Sequence, residues 1–236
     1  MRALKKVARV SGHIVESHVN GVSLRDQAQM QKALKDYSNL IEPWAQRQVL
    51  KLLEQVQKSN KRAYQQKTKT IGMVLRNVGD DEVGERARLL MMEQVGLIKS
   101  IPIEAGARAQ ELALKAAFEG TRARPDQTTI DQIKKELDVS TEVAISRAEL
   151  IARTETARAN ASINQARATA VGSNQYRWHN SGDEAVRHSH KFLKGKRLQG
   201  MIFSWDNPPT LDDGMTGHPG SFPNCRCFAE PMFPDE

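Results

Sequence analysis

Between Ser140 and Val171 the chain runs for about 30 residues without a glycine or a proline, and Gly172 follows at once. No other stretch limits the fold as strongly, because such a run can continue as one helix of roughly 45 Å at 1.5 Å per residue. Ser140 and Thr141 are capping types, Glu142 suits a first turn, and Gly172 suits a helix stop. The run is rich in Ala and Arg. Small residues at its centre, Ile151 to Asn160, permit close packing. Its polar residues are too many for one buried face, so part of the helix is expected to face a polar partner or the chain's own C-terminal segment.

Composition changes on either side of this helix. Ahead of it, Met30, Leu34, Tyr37, Ile41 and Trp44 recur at helical steps, and Val49, Leu52 and Val56 continue the stripe past Pro43. Pro43 marks either a kink or a restart. Residues 58–70 are polar and basic, and their pattern fits helix or linker. Asp80-Asp81 opens a further helix. Ser100-Ile101-Pro102 reads as a stop and restart, and Gly120 as a terminator. Thr128 or Thr129 caps a short helix bearing Ile130, Ile133 and Leu137. Beyond Gly172, Gly, Pro, His and both Cys concentrate. Residues 175–179, 201–205 and 225–229 are strand candidates, and Glu184 to Phe192 a short helix. The expected fold is a mainly α N-terminal helical body (1–139) and a long helix leading into a small α+β C-terminal domain (140–236). Trp178, Trp205 and Phe222 are its candidate core or interface anchors.

No segment approaches the ~20 apolar residues that span a bilayer, and Met1 to Val10 lacks the continuous apolar stretch of a signal peptide. Cys225 and Cys227, the two cysteines, are too close in sequence for an easy mutual disulfide. An intracellular protein in a reducing compartment is therefore expected. Scarce aromatics favour helical cores over a β-sandwich. The net charge of +7 is uneven: residues 1–79 carry 15 Lys/Arg against 5 Asp/Glu, whereas residues 121–236 carry 15 against 15. Lys58, Lys61, Arg62, Lys67 and Lys69 can neutralise nucleic-acid phosphates or meet an acidic protein. A solvated helix face accounts for them equally well.

Asp183, His188, His190, His218, Cys225 and Cys227 crowd into the C-terminal segment. In a strand, Cys225 and Cys227 would present two sulfurs on one face with Arg226 on the other. Two thiolates with His190 and a fourth ligand such as Asp183 form a tetrahedral zinc set. A Gly/Pro-rich unit with little core would gain folding free energy from such an ion. The alternative is that both cysteines are small apolar core residues and His190 is hydrogen-bonded among them. The chain has no Gly-x-Ser-x-Gly elbow, no phosphate-cradling glycine loop and no His-Glu-x-x-His helix. Its Asp, Arg, His and Cys-x-Cys set matches no derivable reaction class, so a catalytic role is not expected.

The stretch from Ala148 to Pro231 resembles the phage Mu F-like minor head proteins of the phage head-morphogenesis family. The matching residues are Ile151-Ala152-Arg153-Thr154-Glu155 and Asn160, then Trp178, Ser181, Asp183, Val186, Arg187 and His190. Gly195, Pro219-Gly220 and Asn224-Cys225-Arg226-Cys227 follow, and Ser100-Ile101-Pro102 resembles an upstream motif. Arg153, Glu155, Asn160, Trp178, Asp183, Arg187 and His190 are the structural signature. Ala185 and Lys194 depart from the family, whose members often carry Arg and an acidic residue there. The resemblance implies a virion protein in multiple but few copies, made in the host cytoplasm and acting in head assembly. It implies partners in the portal or the major capsid protein, and roles in DNA packaging or delivery. Domains of the family also occur fused to toxins, and none is expected here after Cys227. Two other function classes stay in view: a stand-alone DNA-binding protein, and a metal-dependent nuclease using the His/Cys cluster.

Overall fold

The computed structural model describes residues 2–18, 24–70, 80–119 and 127–233. It is mainly helical, with five long helices followed by a small mixed segment: α1 (Arg2–His18), α2 (Leu24–Leu40), α3 (Glu42–Thr70), α4 (Asp80–Glu119) and α5 (Gln127–Ala170), then β1 (Gln175–Asn180), α6 (His188–Lys191), β2 (Phe192–Leu193), β3 (Lys196–Arg197), β4 (Ile202–Ser204) and β5 (Cys227–Met232). The N-terminal helical body and the small α+β C-terminal segment thus have the expected character.

Pro43 sits in the first turn of α3, where its missing N–H has no helical partner to lose. The path from α2 is barely interrupted. Ile41 donates its N–H to the Tyr37 carbonyl at 3.0 Å and accepts from Ala45 at 2.8 Å. The basic residues after Lys58 continue the helix to Thr70.

Two expected breaks are absent. Pro102 lies inside α4. Both Ile101 and Pro102 are buried, and their packing outweighs the one backbone bond that proline removes. Residues 127–170 likewise form one helix instead of two. Nothing between them is a glycine or a proline, and Thr141 packs against Gly12 instead of capping the start of a new helix. The terminator proposed at Gly120 and the side chains of Thr128 and Thr129 lie outside the described residues.

The chain forms two compact units. One comprises residues 1–48 and 93–152, the other residues 49–92 and 153–236. In the first, Val15, Met30, Leu34 and Ala109 form a buried cluster, and ion pairs join Lys5 to Glu149 and Lys99 to Glu42. In the second, a larger core unites Tyr64, Ala168, Tyr176, Trp178, Leu198, Trp205, Phe222 and Phe233. Trp178, Trp205 and Phe222 are core residues there.

The end of α5 is a Schellman stop. Ser173 donates to the Ala168 carbonyl at 3.0 Å, Gly172 donates to Thr169 at 3.0 Å, and Gly172 takes φ +81. The antiparallel sheet that follows has the order β4-β1-β5. A separate hairpin pairs Phe192 with Arg197 and Leu193 with Lys196. Its two-residue turn, Lys194-Gly195, has φ +49 and +76, the form that matches strand twist.

Candidate metal centre

The β1–β5 register sets Trp178 opposite Ala229 and Asn180 opposite Cys227, so Cys227 enters the sheet at the first position of β5. Cys225 lies before the strand, and this corrects the strand-alternation reading of the two sulfurs. A turn brings them together instead. Cys225 donates its N–H to Phe222 at 3.1 Å, and Asn224 takes φ +56, a region asparagine tolerates. Asn224 N–H also donates to Thr154 Oγ1 at 3.0 Å. The Arg187 guanidinium donates to the Pro223 carbonyl and holds the same turn from the other side.

Helix α6 is shorter than expected: Glu184 and Ala185 form a turn, and Arg187 at its start is extended with no side-chain cap. Its one buried residue is His190. His190 Nδ1 lies 3.5 Å from Cys225 Sγ and 3.4 Å from Cys227 Sγ. One ligand atom from each of the three residues lies within 4.8 Å of the others, a group able to hold a metal ion. All three are buried, with 2%, 9% and 6% of their surfaces exposed for His190, Cys225 and Cys227. The imidazole is enclosed edge-to-face by Trp178 at 5.9 Å and Phe222 at 5.0 Å.

Cys225 Sγ accepts backbone N–H groups from Gly220 at 3.3 Å and Cys227 at 3.4 Å. The Cys227 thiol donates to the same sulfur. That bond, with His190 and the two amides, lowers the Cys225 thiol well below its ordinary value despite burial. Cys227 is raised by the reciprocal bond first and by burial second. Two backbone N–H donors thus converge on the Cys225 sulfur.

Asp183 stands apart from this group. Its carboxylate accepts from Arg226 at 2.6 Å and Ser181 at 3.0 Å, and the Arg226 bond holds its carboxyl below the usual range. His188 stacks on Phe192 at 5.0 Å, and His218 Nδ1 meets the Tyr176 hydroxyl at 3.0 Å. Of the signature residues, Trp178 and His190 are core, Arg187 clamps the turn, Glu155 is buried and paired with Arg158 at 3.1 Å, and Arg153 and Asn160 are exposed. Lys58 and Arg62 are exposed on α3 and Lys61 is half-buried. The side chains of Lys67 and Lys69 lie outside the described residues.

A seat on α5 carries the site, and its full extent went unread in the sequence. Thr154 caps the Asn224 amide. The Ala157 carbonyl and the Ala161 side chain crowd Gly220. Asn164 Nδ2 donates to the Ala229 carbonyl at 2.8 Å, and Ala168 is buried in the core. Residues 154, 157, 161, 164 and 168 recur at three- and four-residue steps, one face of a helix. The stripe is three alanines with a threonine and an asparagine and has no large apolar residue, so a search for hydrophobic periodicity passes over it. Beside it, the buried Arg167 donates to Asn60 Oδ1 at 2.8 Å and lies over the Tyr64 ring at 5.9 Å.

No solved structure matches the chain. Over 150 residues, 64% of its length, it is 34% identical to an uncharacterized protein of Haemophilus influenzae. It spans 30% of that protein's length. The family model described as "Phage Mu protein F like protein" matches residues 104–230, which takes in α5, His190, Cys225 and Cys227, and the first four residues of β5. With more than half of the sequence matched, the chain belongs to the phage Mu protein F like family of head-morphogenesis proteins.

Proposed function

We propose that this protein is a minor component of a tailed-phage head, built in during assembly beside the portal or the major capsid protein and retained in the virion. The family match over residues 104–230 carries the reading. In this reading the unit containing the metal-binding group is a docking module. Lys58, Lys61 and Arg62, with Lys67 and Lys69 further along α3, contact double-stranded DNA during packaging or ejection. The excess of 15 Lys/Arg over 5 Asp/Glu in residues 1–79 supports that contact. Zinc is the cofactor of the reading, because paired sulfurs with an imidazole suit it.

Quantitative mass spectrometry of purified virions and DNA-free procapsids tests the assignment. A few copies per particle in both is the expected result. Absence from both particles overturns it. Presence only in procapsids replaces the virion role with that of a departing assembly factor.

A further inference from the structure

We propose that one zinc ion is coordinated by His190 Nδ1, Cys225 Sγ and Cys227 Sγ, and that it acts as a buried clasp on the segment between β1 and β5. Asp183 lies outside its coordination shell. The inference rests on the reading that this unit carries zinc, and adds the ligand atoms and the role.

Distances come first. Zinc binds imidazole nitrogen at about 2.0–2.1 Å and thiolate sulfur at about 2.3 Å. At a tetrahedral angle those bonds separate N and S by about 3.6 Å. The observed 3.5 and 3.4 Å fit with little movement. Donor chemistry agrees: two sulfurs and one nitrogen suit zinc and disfavour magnesium or calcium, which take oxygen. Peptide amides already point at Cys225 Sγ from Gly220 and Cys227, the outer-shell support that a coordinated thiolate requires. Among the described residues, the imidazole directs its polar contacts at the sulfurs alone, since Nε2 is buried without a hydrogen-bond partner.

The role follows from where the ligands sit. His190 lies 35 and 37 residues from the two cysteines in sequence. Between them the regular structure is two strands of two residues and one of three, apart from the end of α6 itself. An ion joining the ends of so long a loop removes conformational freedom from the unfolded chain, as a cross-link does. A catalytic zinc keeps a position open to substrate. Three protein ligands leave the fourth position of a tetrahedral ion to water. Yet all three are buried and the imidazole is enclosed by Trp178 and Phe222, which shields that position from substrate, so the site suits a structural ion. Asp183 is engaged by Arg226 and Ser181 and steadies the segment through that pair.

The test uses the full chain. Metal content is measured after purification, and cobalt(II) replaces zinc for absorption spectroscopy. Expected are one zinc per chain, a sulfur-to-cobalt charge-transfer band of two-thiolate intensity, and loss of the Trp near-ultraviolet dichroism on chelation. Cys225→Ser and His190→Gln should each weaken zinc binding at least about tenfold, while Asp183→Asn should bind as the unaltered protein does. The cobalt spectrum needs no variant, so an unfolded variant leaves the test intact. No uptake of zinc or cobalt by the folded protein overturns the zinc reading itself. Uptake without a thiolate band, or uptake lost in Asp183→Asn and kept in Cys225→Ser, leaves that reading standing and overturns the ligand set.

Discussion

Asn164 on α5 donates its side-chain amide to the Ala229 carbonyl on β5 at 2.8 Å. Among the described residues β5 has a strand on one side only, and this amide serves it where a further strand would. The same residue accepts the Asn60 amide at 3.4 Å through Oδ1 and the Tyr64 hydroxyl at 3.1 Å through its carbonyl. Asn164→Leu strands a sheet carbonyl and the Asn60 amide together, and should lower stability by about 1–3 kcal/mol. Asn160→Ala, exposed on the same helix, should stay within about 0.5 kcal/mol. Urea unfolding of the two variants decides the matter. Equal losses would remove Asn164 from this role.

Gly220 takes φ +91, and a Cβ built there would stand 2.9 Å from Ala161 Cβ. Backbone conformation and contact with α5 both demand glycine. Gly220→Ala should cost about 1–3 kcal/mol by thermal melting. A melt unchanged within error would show that the loop shifts off α5 freely.

Two helical glycines should respond in opposite directions. A Cβ at Gly12 would meet Thr141 Oγ1 at 2.5 Å and Cγ2 at 2.9 Å, whereas Gly96 has nothing within 4 Å. Thr141 is β-branched and cannot swing its methyl and hydroxyl both away. Gly12→Ala should therefore destabilise by about 1–3 kcal/mol. Gly96→Ala should stabilise by about 0.5–1 kcal/mol, because α4 gains a better helix former. A Gly12→Ala melting temperature at or above that of the unaltered protein would contradict the close approach of α1 to Thr141.

Stability should fall in acid in two stages. Burial lowers His218 below its ordinary 6.5, opposed by a hydrogen bond with the Trp205 backbone. Below 6.5 the unfolded chain takes up this proton while the folded one resists it. The stability is therefore complete above that value and is lost as pH falls through the folded one. Asp183 is lowered first by its Arg226 bond, and Asp213 first by its Ser189 bond. Their contributions hold above the ordinary 3.8 and fade as pH falls through the folded values. Urea midpoints measured from about pH 8 to about pH 3 should show both stages. His218→Gln should flatten the first and spare the second. An identical slope between about pH 7 and about pH 5 in both proteins would exclude His218 as its source.

Much of α2 to α5, the stop at Gly172 and two of the three sheet strands were legible in the residues, because the signals behind them are local, whereas α1 (Arg2–His18) was not read. Helical stripes, a glycine-free and proline-free run and a glycine needing positive φ each act within a few positions. Local rules also misled where packing prevailed: buried Pro102 stays inside α4, and Ser140 and Thr141 lie within α5 without starting a new helix there. Cys225, Cys227 and His190 were legible as a set of donor types. Asp183 was indistinguishable from them by type, and only the folded chain pairs it with Arg226. The convergence of His190 on two sulfurs across 35 and 37 residues was decided in three dimensions. So was the seating of the Asn224 turn, Gly220 and Ala229 on Thr154, Ala161 and Asn164 of α5. The physical reason is common to both. Helix periodicity and turn conformation come from forces between near neighbours in the chain, whereas a coordination group and a docking face are distances between distant segments, set by how their side chains fill one core.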